Sequence, residues 1–186
     1  MLATSFASLT LPMADATESS IFCLEGQTST GKTSALRTAL SIMGPSGVKD
    51  IELADATADG LKDLAGSKFN HKLMAIDELG MYTTRQANPE QALHTLIQSL
   101  VSGRGRRRAK VYEADHGASA NWSTIVVTTV GLGIGSSLLE QQTSVSEGVL
   151  ARCFVIRIPA PDKGGIFDLV SGTSTSDLID RLHKLL

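Results

Sequence analysis

The chain is poor in the features that place a protein most quickly. It holds two cysteines, Cys23 and Cys153, in 186 residues, each inside an apolar run. Neither a disulfide framework nor a metal-type cysteine spacing can be built from them, so a reducing, cytoplasmic compartment is the expectation. No stretch approaches the run of about 18 apolar residues that marks a conventional membrane helix, and the opening "MLATSFASLTLPMA" lacks the basic start of a secretory signal. Neither charge nor aromatic residues dominate: charged residues make up 19%, aromatics 4%, and the net charge is -2. With hydrophobic residues at 42%, that balance is globular and argues against disorder. Internal repeats and low-complexity tracts are missing too, which excludes solenoid and repeat-array architectures.

What is there alternates between short apolar runs and helical stripes. The length suits one well-buried α/β domain over residues 1–186. "SIFCLEG", Ser20 to Gly26, is an apolar run stopped by glycine and reads as a buried strand. From Lys32, Leu36, Ala39, Leu40 and Met43 recur at helical spacing until Gly44-Pro45. "DIELAD", Asp50 to Asp55, is a weak second strand, "TADGLKDLAGSKF" a helix, and Leu73 to Asp77 a third strand. Asn88-Pro89 opens another helix with the stripe Leu93, Leu96, Ile97 and Leu100, ending near Gly103. "STIVVTTVG" and "RCFVIRIP" supply strands four and five. Residues 1–19 are expected to hold a helix packed on the domain, 103–122 a basic hairpin or loop, Gly131 to Gly148 a loop with a short helix, and 174–186 a last helix with Leu178, Ile179, Leu182 and Leu185. The apolar start at Met1 fits a piece of a longer protein. Strands alternating with helices imply a mostly parallel sheet whose ligand lies at the carboxyl ends of the strands.

Gly26-x-x-x-x-Gly31-Lys32-Thr33 completes the phosphate-loop pattern, with a strand before it and a helix after it. The glycines let the backbone turn tightly enough for successive N–H groups and the helix N-terminus to meet a β-phosphate. Lys32 supplies a charge for the β and γ oxygens, and the Thr33 hydroxyl can ligate Mg²⁺. The candidate nucleotide-binding set is therefore Gly26, Thr28, Ser29, Thr30, Gly31, Lys32, Thr33 and Ser34. Asp77-Glu78 ends an apolar strand. Asp77 is the candidate second metal residue, and Glu78 the group that orients or deprotonates an attacking water, which favours an ATPase over a small-molecule kinase. Thr128 and Thr129 end the fourth strand, and Thr129 is the candidate γ-phosphate sensor, although threonine in a strand also reflects plain β-propensity.

Five of the 17 lysines and arginines crowd into "GRGRRRAK", Gly103 to Lys110. Arg104, Arg106, Arg107, Arg108 and Lys110, beside flexible glycines, suit phosphate contacts without base reading. Tyr112, His116 and Trp122 are candidate stacking residues, with a core role for Trp122 as the alternative. A solvated basic loop, or a patch that pairs with an acidic neighbour, is the other reading of the cluster.

Taken in order, these strands and motifs resemble the additional-strand P-loop ATPases, a class that includes the AAA+ and superfamily III helicase groups. "GQTSTGKTSALRTA", "ADATADGLKDLA", "LMAIDELG", "LVSGRGRRRA" and "VLARCFVIRIPAP" further resemble the family called domain of unknown function 927, helicase-like and found in primase-helicase proteins of phages and mobile elements. The resemblance implies a RecA/AAA+-like three-layer sandwich with five strands in the order fifth, first, fourth, third, second, which makes Cys23 and Cys153 neighbours in the core. It implies ATP and Mg²⁺ as cofactors, and Arg152 in "GVLARCF" as an arginine finger offered to a neighbouring subunit. Single-stranded or forked DNA on the basic segment, a homo-oligomeric ring, most simply a hexamer, and a separate primase module follow from it as well. The chain departs from the class in carrying "TTVGLG" where an acidic residue follows the sensor, and "EQQTSVSEG" where basic residues precede the fifth strand. Two functions remain open: an ATP-driven nucleic-acid motor, and a non-motor switch in which ATP controls assembly and the basic segment grips protein.

Overall fold

Three runs, "SIFCLE", "LMAID" and "IVVTTV", are apolar or β-branched almost throughout, as strands buried on both faces of a parallel sheet must be. The computed structural model describes residues 1–15, 18–44, 50–85, 87–105, 121–134, 151–163, 165–166 and 181. In it these runs are β1 (Ser20–Glu25), β3 (Leu73–Asp77) and β4 (Ile125–Val130), flanked by β2 (Glu52–Leu53) and β5 (Cys153–Arg157). The order across the sheet is β2-β3-β4-β1-β5, and every pairing is parallel. This is the expected order, and the molecule is a P-loop-type three-layer α/β sandwich. β2 is shorter than the six residues read from "DIELAD": only Glu52 and Leu53 pair, opposite Ile76 and Asp77, at the edge of the sheet.

Helices cover both faces. On one, α2 (Lys32–Leu40) sets Ala35, Leu36, Ala39 and Leu40 against Leu24, Leu73, Ala75, Ile125 and Val127. On the other, α3 (Ala58–Ser67) and α4 (Pro89–Val101) set Leu61, Ala65, Leu93, Leu96, Ile97 and Leu100 against Cys23, Met74, Ile76, Val126 and Val130. Both helices of the second face start at side-chain caps: Thr57 accepts from the Gly60 N–H at 3.1 Å, and Asn88 from the Gln91 N–H at 3.4 Å with Pro89 in the first turn. The N-terminal helix is present as α1 (Leu2–Thr10), continued by a 3₁₀ turn over Leu11–Ala14. Its buried side is the serine side, with Ser5 donating to the Ala39 carbonyl at 2.7 Å, while Leu2, Phe6, Leu9 and Met13 stay exposed.

Trp122 is a core residue and not a surface stacking platform. It is 2% exposed, and its indole N–H donates to the Leu100 carbonyl at 3.0 Å, tying the start of β4 to α4. Cys23 and Cys153 are free and buried on neighbouring strands, with Cys153 opposite Ile21 and so on the same face as Cys23. A hydrogen bond to the Cys153 sulfur, followed by burial, holds the Cys23 thiol well above its ordinary pKa. The readings of Gly131 to Gly148 beyond residue 134, of the 106–120 hairpin, and of the last helix apart from Arg181 lie outside the described residues. No helix of the described residues is long and apolar enough to cross a membrane.

Candidate functional site

In a parallel sheet all strands end at one edge, and there the chain turns from β1 into α2. The connection is buried at Gly26 and Thr30 and exposed at Gln27, Thr28 and Ser29. Ser29 and Gly31 both adopt left-handed backbone, φ 64° and 85°, which curls the loop back before the helix begins. Thr30 closes the curl by donating to the Gln27 carbonyl at 2.9 Å, and Ser34 is buried in the first turn of α2. Lys32 lies folded over the loop, its ammonium donating to the carbonyls of Gly26 at 2.8 Å and Gln27 at 2.5 Å. Burial lowers its pKa below the ordinary lysine value, and the carboxylates of Asp77 and Glu78 act against that shift.

The end of β3 meets this loop through hydroxyls. Thr33 donates to Asp77 Oδ2 at 2.9 Å. Thr129 donates to the other carboxylate oxygen, Asp77 Oδ1, through a short bond, and accepts from the Glu78 N–H at 2.8 Å. The Glu78 N–H also reaches Asp77 Oδ1 at 3.1 Å. Glu78 itself is exposed and held at φ 52°, a left-handed conformation that costs a glutamate energy and needs this bonding to persist. Strand alternation separates the two threonines. Thr129 faces the α2 side, whereas Thr128 lies between Cys23 and Ile76 on the opposite face, its hydroxyl without a hydrogen-bond partner among the described residues.

Thr33 and Asp77 are hard oxygen donors side by side, a set suited to Mg²⁺ and short of a complete cage. Among the described residues no group of three or more His, Cys, Asp or Glu side chains could hold a metal, so phosphate oxygens and water would have to complete the shell.

The remaining candidates stand apart from this edge. Arg152 precedes Cys153, which pairs with Ile21, so it sits at the opposite end of β1 from Gly26, roughly 20 Å along the sheet at ~3.3 Å per residue. There it forms an ion pair with Glu18 and cannot reach the phosphate loop of its own chain. Arg104 is at that same far edge, after α4, where it bridges to Asn121. Arg106, Arg107, Arg108 and Lys110, with Tyr112 and His116, lie outside the described residues.

Two features of the loop's surroundings escape a reading of the sequence. Glu25, directly before Gly26, is 2% exposed and faces Arg157 of β5, with Nε 3.5 Å from Oε2. Beyond β5 the chain returns over the loop: Ile158 N–H donates to the Glu25 carbonyl at 2.7 Å and Ile166 N–H to the Thr30 carbonyl at 2.9 Å. The only signal for the second is the glycine pair in "PDKGGI", which marks a turn and does not say what the turn packs on.

Among solved structures the chain is similar to the Thermotoga maritima RuvB Holliday junction branch migration motor, at 12% identity and a TM-score of 0.39, over 86% of this chain. It spans 45% of that chain's length. No curated protein matches the chain. The family model for a domain of unknown function, DUF927, matches residues 1–115, more than half of the length, and the chain belongs to that family.

Proposed function

We propose that this chain is an ATPase that couples hydrolysis to movement along nucleic acid. The observation that carries the ATPase half is the hydrogen-bonded run Thr33–Asp77–Thr129–Glu78, which joins the phosphate loop to an exposed carboxylate at the ligand edge of the sheet. In this reading Gly26, Thr28, Ser29, Thr30, Gly31 and Ser34 form the walls of the triphosphate site. Lys32 leaves the Gly26 and Gln27 carbonyls for the β and γ oxygens, and Thr33 and Asp77 hold Mg²⁺. That ion supplies neutralising charge at the phosphates. Glu78 takes a proton from a water whose oxygen bonds to the γ-phosphorus as the bridging P–O bond breaks, releasing ADP and phosphate. Thr129 keeps Asp77 and the Glu78 backbone in register.

Arg152 then acts on the triphosphate of a neighbouring subunit, worth roughly 10³ to 10⁵ in turnover in enzymes that use such a finger. Its position at the far edge of the sheet makes that role one between subunits of a head-to-tail ring. The segment starting at Arg104 carries the nucleic-acid backbone. The ion pair of Arg152 with its own Glu18 favours a second reading, an ATP-dependent assembly switch in which that pair opens on contact with a partner.

Turnover measured with and without single-stranded DNA across a salt series separates the two. The motor predicts stimulation that falls steeply with salt and is lost when Arg106, Arg107 and Arg108 become alanine. Hydrolysis indifferent to DNA would leave the switch.

A further inference from the structure

The segment after β5 is held to the phosphate loop more closely than packing alone requires. Ile158 sits on Gly26, where an added Cβ would lie 3.0 Å from Ile158 Cβ. Lys163 and Gly165 both donate to the Ala160 carbonyl, at 2.9 and 3.2 Å, closing the segment into a turn. Gly165, at φ +61°, then approaches Thr30 so nearly that an added Cβ would lie 2.7 Å from the Thr30 carbonyl oxygen and 3.2 Å from both its Cα and carbonyl carbon. Only glycine fits there, on backbone conformation and on space alike. The next residue, Ile166, donates its N–H to that same carbonyl at 2.9 Å.

This bond acts on the peptide unit between Thr30 and Gly31. A trans peptide is planar, with C=O and N–H pointing in opposite directions. Anchoring the Thr30 oxygen to Ile166 therefore turns the Gly31 N–H the other way. This unit turns about ψ of Thr30 and φ of Gly31, and because glycine takes either sign of φ at small cost, Gly31, here at φ 85°, does little by itself to hold it. A rotated unit would present a carbonyl where an anion needs a donor.

We infer that Gly165 and Ile166 are positioning residues for phosphate binding: the segment after β5 fixes the Thr30–Gly31 peptide with its N–H available to the anion before any nucleotide arrives. The inference rests on the nucleotide reading above and adds to it the group that sets the loop's donor pattern. It also gives nucleotide occupancy a direct mechanical link to whatever follows β5.

The test compares Gly165→Ala, Ile166→Pro, which removes the N–H donor, and Ile166→Val, which keeps it, with the unaltered chain. Gly44→Ala serves as a control for backbone strain alone, since Gly44 has φ +133° and nothing within 4 Å of an added Cβ. Amide exchange over residues 27–32 is read without nucleotide, and KM and kcat with Mg-ATP. Gly165→Ala and Ile166→Pro are expected to speed loop exchange and raise KM about tenfold, the size of a lost buried hydrogen bond. In both, kcat at saturation stays near the original value, because Asp77, Glu78 and Thr129 are untouched. Ile166→Val and Gly44→Ala should keep the original KM. Unchanged loop exchange in both disruptive variants, or faster exchange with an unchanged KM, would overturn the positioning role while leaving the nucleotide reading intact. An unaltered chain that binds no Mg-ATP would remove the nucleotide reading, and this inference with it.

Discussion

Thr129 makes two bonds through one hydroxyl, giving its proton to Asp77 and taking one from the backbone of Glu78. Thr129→Val keeps the shape and removes both bonds, so turnover at saturating ATP should fall about 10- to 100-fold, and Thr129→Ser should recover most of it. Glu78 illustrates the opposite trade, since its left-handed backbone is a cost carried for position. Glu78→Gly should abolish turnover and yet raise stability by up to about 1 kcal/mol, visible as a higher melting temperature. For Lys32 the sign follows from its charged form being disfavoured by burial. Below its lowered pKa the ammonium is present, as the proposed contact with phosphate requires. As pH rises towards the ordinary lysine range that charge is lost early, so ATP affinity should weaken there, whereas Lys32→Arg should hold its affinity across the same range. At this scale the sequence pattern nominates Lys32, Thr33, Asp77 and Glu78, and the fold brings them to one edge of the sheet. Of the two threonines ending the fourth strand Thr129 is the candidate, and the register of β4 against β1 and β3 is what sets it on the α2 face, with Thr128 on the other.

Among the elements, those buried on both faces were the easiest to read. β1, β3 and β4 announce themselves as short apolar runs, and α4 by its cap and stripe. β2 is a two-residue edge pairing flanked by the buried Ile51 and Ala54, so the longer run "DIELAD" gave no measure of it. The segment after β5 was illegible for a different reason: its bonds are to backbone carbonyls of Glu25 and Thr30, which no side-chain pattern encodes. Trp122 shows how an aromatic near a basic cluster can belong to the core, bonded across to Leu100. Trp122→Phe should cost about 1–3 kcal/mol in chemical unfolding by leaving that carbonyl unpaired. The thiols of Cys23 and Cys153, 0% and 7% exposed, should stay unreactive towards a polar thiol reagent until the chain unfolds. Rapid labelling of the native protein would contradict the packing of β1 against β5.

Across the whole molecule, the parallel sheet sorts the chemistry to its two ends. Phosphate loop, Asp77, Glu78 and Thr129 gather where the strands finish, while Arg104 and Arg152 stand where they start. This division was legible in the order of motifs along the chain, since strand polarity follows once the sheet is parallel. A subunit that offers its far edge to the ligand edge of the next makes a heterologous contact, the kind that closes rings. Arg152→Ala should therefore leave ATP binding by the isolated chain unchanged and lower turnover only where subunits assemble, read as a loss of the concentration dependence of specific activity. In the proposed mechanism Lys32 of the phosphate loop holds the nucleotide and Glu78 at the end of β3 drives its hydrolysis. The most direct test of these two roles is ATP retention and phosphate release measured side by side for the unaltered chain, Lys32→Ala and Glu78→Gln. Release is expected from the unaltered chain, neither retention nor release from Lys32→Ala, and ATP retained without release from Glu78→Gln. Undiminished phosphate release from Glu78→Gln would contradict them.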